Sequence, residues 1–162
     1  MKEGSGLKLK KKRVMKRKDT KRLEEEAEGI LGPVDSSAFM QAEAEEGMTV
    51  YLLDGEALLA RRDGILFPTL IHPGLDRLPS VVVDMGAIPY VCNGADVMAP
   101  GIVEVRDFFS EGGLVVIRDV THGKALSVGL TLASSEEMRK MKKGKAIRNL
   151  HHVGDKLWQA IG

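Results

Sequence analysis

Residues 7–14 read LKLKKKRV, with leucine and lysine alternating before a solid basic run. Alternation with period two marks a half-buried strand, and lysines along it suit a sheet edge, where they discourage pairing with other chains. The period then changes. Leu23, Ala27, Ile30 and Leu31 fall at i, i+4, i+7 and i+8, which predicts a helix capped at Asp19 or Thr20 and stopped by Gly32-Pro33. Residues 35–47 are acidic and alanine-rich, and a short helix or a loop is expected there. MTVYLL and ALLAR flank Asp54-Gly55, a pair favoured in type I′ hairpin turns because both central residues need positive φ. Arg62-Asp63-Gly64 predicts a second turn into ILFPTLI, where Pro68 confines the strand to an edge or an irregular course.

His72-Pro73-Gly74 and Leu78-Pro79 punctuate the chain and place a domain boundary near Ser80, giving an α+β domain over 1–79 and a second domain over 80–162. In the second, VVVD reads as a strand, GAIPYVCN as a short helix and ADVMAPGI as another strand. LVVIRD and ALSVGLTLA are two more, joined at Thr121-His122-Gly123. A helix over 134–143 opens on Ser134-Ser135-Glu136-Glu137, where a hydroxyl can accept first-turn amides. AIRNLHHV and KLWQA are expected as closing strands that turn at Gly154-Asp155. Short strands with glycine-rich turns and two small helices predict a compact, mainly-β barrel.

The 162 residues suffice for one domain or two small ones. Aromatics make up only 4%, so the core must be built mainly from Val, Leu, Ile, Met and Ala. Charge is distributed unevenly: the net is +9 over 1–22, −14 over 23–138 and +6 over 139–162. Basic ends suit a polyanion-binding surface, because phosphate contacts release counterions; solvated faces would look the same. A whole-chain charge of +1 argues against indiscriminate coating of nucleic acid. The single cysteine, Cys92, excludes an internal disulfide and fits a reducing compartment. The basic start leads into further charge rather than an apolar stretch, so no secretory signal is read there. Apolar runs such as Leu114–Ile117 fall far short of the roughly 18 residues a membrane span needs. A cytoplasmic protein without a membrane partner is expected.

Candidate chemistry is sparse, and neither a cofactor nor a catalytic constellation is expected. His151-His152 are adjacent on a strand and point to opposite faces, with no cysteine or carboxylate cluster to complete a metal site. Cys92 reads as a buried thiol, and Trp158 and the methionines as core. Tyr90 suits either packing or stacking on a base. Arg118, His122 and Lys124 cluster at one turn and suit either phosphate contact or a solvated loop. Residues 139–148, RKMKKGKAIR, form a basic patch.

One stretch carries more. VDMGAIPYVCNGADVMAPGI, over Val83–Ile102, resembles the signature of the PUA domain, an RNA-binding pseudo-barrel: a strand ending in Asp, a Gly-Ala pair, a helical turn, a second Gly-Ala pair, then Pro-Gly with an aliphatic residue. ALSVGLTLAS, with Gly129, and KGKAIRNLHHVGDKLW extend the likeness over most of 80–162. VYLLDGEALLARRDGILFPTL is similar to the domain preceding PUA in the malignant T-cell-amplified family of translation factors, in ligatin and in archaeal two-domain homologues, and the Lys/Arg-rich start fits the archaeal type. The resemblance implies an RNA-binding, translation-associated factor that contacts tRNA or the small ribosomal subunit, with an initiation-type partner such as the density-regulated protein. An accessory RNA-binding role for a separate RNA-modifying enzyme, or a protein–protein adaptor using the acidic middle, are the alternatives. It implies an RNA groove at Gly86, Ala87, Asn93, Gly94, Ala95, Pro100 and Gly101, flanked by Arg118 and Lys124, with phosphates anchored by Lys10, Lys11, Lys12 and Arg13. The residue chemistry agrees: Gly94 is placed to take a left-handed conformation closing the short helix, Asp84 to cap it, and the small residues to leave backbone N–H groups open to RNA. Tight helix–strand packing would call for the same small residues.

Overall fold

The computed structural model describes residues 9–161; Leu7 and Lys8 of the predicted alternating strand lie outside them. Two compact units divide these residues, one running to Leu75 and resuming at Lys156, the other spanning Asp76–Asp155.

In the first unit five antiparallel strands lie side by side in chain order: β1 (Lys10–Val14), β2 (Phe39–Glu45), β3 (Met48–Leu53), β4 (Glu56–Arg62) and β5 (Ile65–Pro68). The helix α1 (Arg17–Leu31) packs its apolar stripe, Leu23 and Ala27, with Met15, Phe39, Tyr51, Leu53, Leu59 and Leu66. It begins earlier than the predicted cap and without a capping side chain; Asp19 instead sits in the first turn, where a negative charge opposes the helix dipole. It stops where predicted, with the Gly32 N–H donating to Glu28 O. Arg61 on β4 ties α1 to the sheet through a two-pronged contact with Glu26 (2.7 and 3.0 Å), and its Nε–H donates to the Tyr51 hydroxyl. The Asp54-Gly55 turn has positive φ at both positions, as its residues require. The Asp54 carboxylate also accepts the N–H groups of Ala38 (2.8 Å) and Ser37 (3.2 Å), which holds it below the ordinary carboxylate range.

Two expectations fail here. Residues 39–45 form the strand β2 rather than a helix or loop, because pairing with β1 and β3 on both sides outweighs the weak strand propensity of Gln, Ala and Glu. KLWQA is not a strand: α4 (Lys156–Ile161) is helical, with Leu157, Ala160 and Ile161 at i, i+3 and i+4, and it packs on β2.

The second unit is a six-stranded sheet curled toward a barrel. Its strands are β6 (Ser80–Val83), β7 (Val97–Met98), β8 (Ile102–Val105), β9 (Leu114–Asp119), β10 (Ala125–Thr131) and β11 (Lys145–His152), in the spatial order β7-β11-β10-β9-β6-β8. All neighbours are antiparallel except β6 and β9. ADVMAPGI, expected as one strand, is broken at Pro100-Gly101 by a 3-10 turn, Ala99–Gly101, since proline cannot donate to a ladder. The broken pieces, β7 and β8, become the two edges of the sheet. Val81, Val83, Val91, Val97, Val115, Ile117 and Ile147 fill the core. Gly129 is obligatory for contact: a Cβ there would run into Ile147 Cγ2 and lie 2.8 Å from the Arg148 carbonyl oxygen, at a bulge between β10 and β11. Two helices complete the unit, α2 (Ile88–Val91) and α3 (Ser135–Lys140). On α3 the predicted cap forms as a reciprocal pair between Ser134 and Glu137. No helix among the described residues is long and apolar enough to cross a membrane.

Candidate nucleic-acid interface

At the end of the second unit where β6 and β9 both finish, Val83 pairs with Asp119 and several chain segments converge. The Asp84 N–H donates to Gly101 O (2.9 Å), and Gly101 is packed so closely on Ala87 that an added Cβ would lie 3.0 Å from the alanine methyl. The Thr121 hydroxyl donates to Met85 Sδ (2.9 Å), joining the first Gly-Ala loop to the β9–β10 turn. The Asp119 carboxylate organises that turn by accepting the N–H groups of His122 and Lys124. These amides, His122 foremost, hold the carboxyl below its ordinary range against the opposing effect of burial.

The second Gly-Ala pair is positioned from below. Gly94 has φ 91°, the left-handed conformation expected of it, and a Cβ there would stand 3.2 Å from His152 Nε2. Asn149, buried on β11, donates from Nδ2 to the carbonyls of Val91 and Ala95 (both 3.0 Å), while its Oδ1 accepts from Ser127 Oγ (2.9 Å). Its own N–H donates to the Asp96 carboxylate (3.0 Å). Asn149 thus fixes the loop leaving α2 to β11, one strand in from the sheet edge. A lone Asn in IRNLHH gives no signal of this in the sequence.

The predicted residues fall into three groups. Gly86, Ala87, Asn93, Gly94, Ala95, Gly101 and Lys124 border one surface, with the exposed Pro100 in the adjoining 3-10 turn. Arg118 starts at this end but is held inward: Nε donates to Ser80 Oγ (3.1 Å), Nη1 to Gly123 O (2.9 Å) and Nη2 pairs with Asp76 (2.6 Å). Lys10, Lys11, Lys12 and Arg13 lie in the other unit on β1, the sheet edge, all exposed, with Lys11 3.6 Å from Glu43.

The expectation of open backbone amides needs correction. Ala87 donates to the Asp84 carbonyl and to Asp84 Oδ1 (2.9 Å), Asn93 and Ala95 to Tyr90 O, and Gly94 to Val91 O. The small residues mostly serve close packing and turn closure. The Met85 and Gly86 amides on this loop make no hydrogen bond among the described residues. What the surface offers instead is side chains. Tyr90 is 70% exposed and Met85 58%, and His122 and Lys124 project from the neighbouring turn. Exposure removes packing as the role of Tyr90, and Met85 and Met98 are likewise outside the core. Burial raises the Cys92 thiol pKa, with the Lys124 charge opposing it. His151 is fully buried with Nδ1 2.8 Å from Asp155, whereas His152 lies on the other face beside Gly94. Trp158, on α4, is half-buried.

The PUA domain family model matches residues 79–153. An uncharacterised protein of Methanocaldococcus jannaschii is 37% identical over 96% of this chain and the whole of its own length. Translation machinery-associated protein 20 of Saccharomyces cerevisiae is 34% identical over 70% of this chain and 67% of its own. The crystal structure of a hypothetical protein from Pyrococcus horikoshii superimposes with a TM-score of 0.79 at 30% identity, over 93% of this chain and 99% of that one.

Proposed function

The chain belongs to the PUA-domain family that includes translation machinery-associated protein 20 and malignant T-cell-amplified sequence 1, and from that premise we propose that it binds RNA as a factor of the translation machinery in the cytoplasm. Its ligand is a single-stranded end or loop of tRNA or of the small ribosomal subunit's RNA, laid across α2. Tyr90 stacks on an unpaired base, and Lys124 and His122 face the backbone phosphates. The Met85 and Gly86 amides donate to phosphate or to a base edge. Arg118 acts indirectly by holding the β9–β10 turn that presents Lys124. On the first unit, Lys10, Lys12 and Arg13 add phosphate contacts that carry no sequence information.

The observation that supports this reading best is Tyr90, 70% exposed on a short helix that is followed by the small, exposed residues Gly94 and Ala95. Titration of fluorescent tRNA against the purified chain tests it. Affinity should fall steeply between about 50 and 200 mM salt. Changing Lys10, Lys12 and Arg13 together to Gln should lower the salt slope, while Tyr90→Ala should weaken binding by roughly tenfold or more with the slope unchanged. No tRNA binding even at low salt would contradict the reading and favour the adaptor alternative.

A further inference from the structure

The opposite end of the same barrel carries an aromatic side chain with no packing role. Phe39 and Phe67 are buried and Phe109 is half-buried, yet Phe108 is 87% exposed. It lies in the β8–β9 connection, ahead of β9, the strand that runs about 17 Å from Leu114 to Asp119. Its exposure is fixed by its surroundings. Asp107, just before it, adopts φ 67°, a left-handed conformation that residues with a Cβ adopt uncommonly and that Asp tolerates better than most. On one side Arg139 Nη2 donates to the carbonyls of Val105 (3.1 Å) and Asp107 (2.8 Å), which brings its guanidinium over the Phe108 ring at 5.4 Å from the centroid. On the other, the Phe109 N–H donates to Ser135 Oγ (3.0 Å) and the Ser135 N–H to Phe109 O (2.9 Å). Hydrogen bonds thus clamp the loop on both flanks of a ring left in solvent.

We propose that Phe108, backed by Arg139, is a second RNA contact, a stacking platform for one unpaired base of a single strand, with Lys142 and Lys143, three and four residues past Arg139, as phosphate contacts. The proposal rests on the RNA-binding reading above. Three features favour RNA over a protein partner. Residues 139–145 carry five Lys/Arg and no carboxylate. Lys142 and Lys143 are exposed and have no ion pair among the described residues. The loop around Phe108 is polar, with Arg106, Asp107, Ser110 and Glu111 exposed, so the ring is isolated rather than part of the contiguous apolar patch that protein partners seek. Asp107 and Glu111 weaken the local positive field, so stacking should carry more of the affinity than charge.

Binding of fluorescent octauridine, measured by anisotropy over a salt series, tests this with Phe108→Ala, Phe108→Trp and a Lys142→Gln/Lys143→Gln double variant. Phe108→Ala should lose about tenfold in affinity with its salt slope unchanged, and Phe108→Trp should restore it. The double variant should lower the slope by about 0.7 for each lysine removed. Circular dichroism checks that each variant is folded. If the parent binds octauridine and tRNA but Phe108→Ala binds both equally well, the platform is wrong, the RNA reading stands and the ring belongs to a protein contact. If the parent binds neither, both readings fall together.

Discussion

Where β9 ends, a surface is built by removing side chains: Gly94, Ala95, Gly101 and Ala87 press the backbone close, and Asn149 holds the loop from beneath. Where β9 begins, the surface is built by adding one: Phe108 is pushed into solvent and held by Arg139 and Ser135. The first end depends on buried hydrogen bonds and a left-handed glycine, so that surface cannot be altered from below without cost to the fold. The second depends on an exposed side chain that adds nothing to the buried core and touches the Arg139 guanidinium alone among the ring and cation contacts. Stability and RNA affinity should therefore be coupled at one end and separable at the other.

The sharpest break comes from Asn149→Ala, which removes the side-chain donor from the Ala95 carbonyl, one of two donors from the Val91 carbonyl, and the Oδ1 acceptor of the buried Ser127 hydroxyl. A destabilisation of about 3 kcal/mol is expected, with the thermal midpoint lowered by more than about 10 °C and tRNA affinity lost with it. Gly94→Ala should cost about 1–2 kcal/mol in urea unfolding, since it places a Cβ at φ 91° and against His152. Smaller still is the effect of acid on the turn that Asp119 organises. Its folded pKa is depressed below 3.8, so its stabilising contribution is complete above the unfolded carboxylate range and is lost as the pH falls through the folded value. Asp54 behaves likewise in the first unit. Asp119→Asn should flatten the decline of the urea midpoint between about pH 5 and 2, and an unaltered profile would show that the turn does not depend on the charge. At the far end, Phe108→Ala should change stability by less than about 0.5 kcal/mol; a larger loss would make the ring structural and erase the contrast.

How much of this could be read in advance depended on whether the determinant was local. The Asp54-Gly55 hairpin, the stop at Gly32-Pro33 and the cap at Ser134 are fixed by neighbouring residues, and all three form as expected. The second Gly-Ala turn was legible because positive φ at Gly94 is a local demand. β2 was not, since FMQAEAE becomes a strand only by pairing on both edges. The breaking of ADVMAPGI at Pro100 shows proline overriding an apolar run. Around the Gly-Ala pairs the turns were legible but the state of their amides was not: which amides stay open depends on the Tyr90 and Val91 carbonyls folding back on them. Asn149 reaches residues more than fifty positions away, and Phe108 is exposed because of Arg139 and Ser135, contacts that no short pattern encodes.

The most direct measurement is photo-crosslinking of tRNA to the intact chain, followed by peptide mapping of the nucleotide adducts. Adducts within Met85–Ala95 and Thr121–Lys124, reduced by Tyr90→Ala, are the predicted result. Adducts confined to the β1 lysines, or none at all at low salt, would contradict the assignment of RNA recognition to the end of the barrel where β9 finishes.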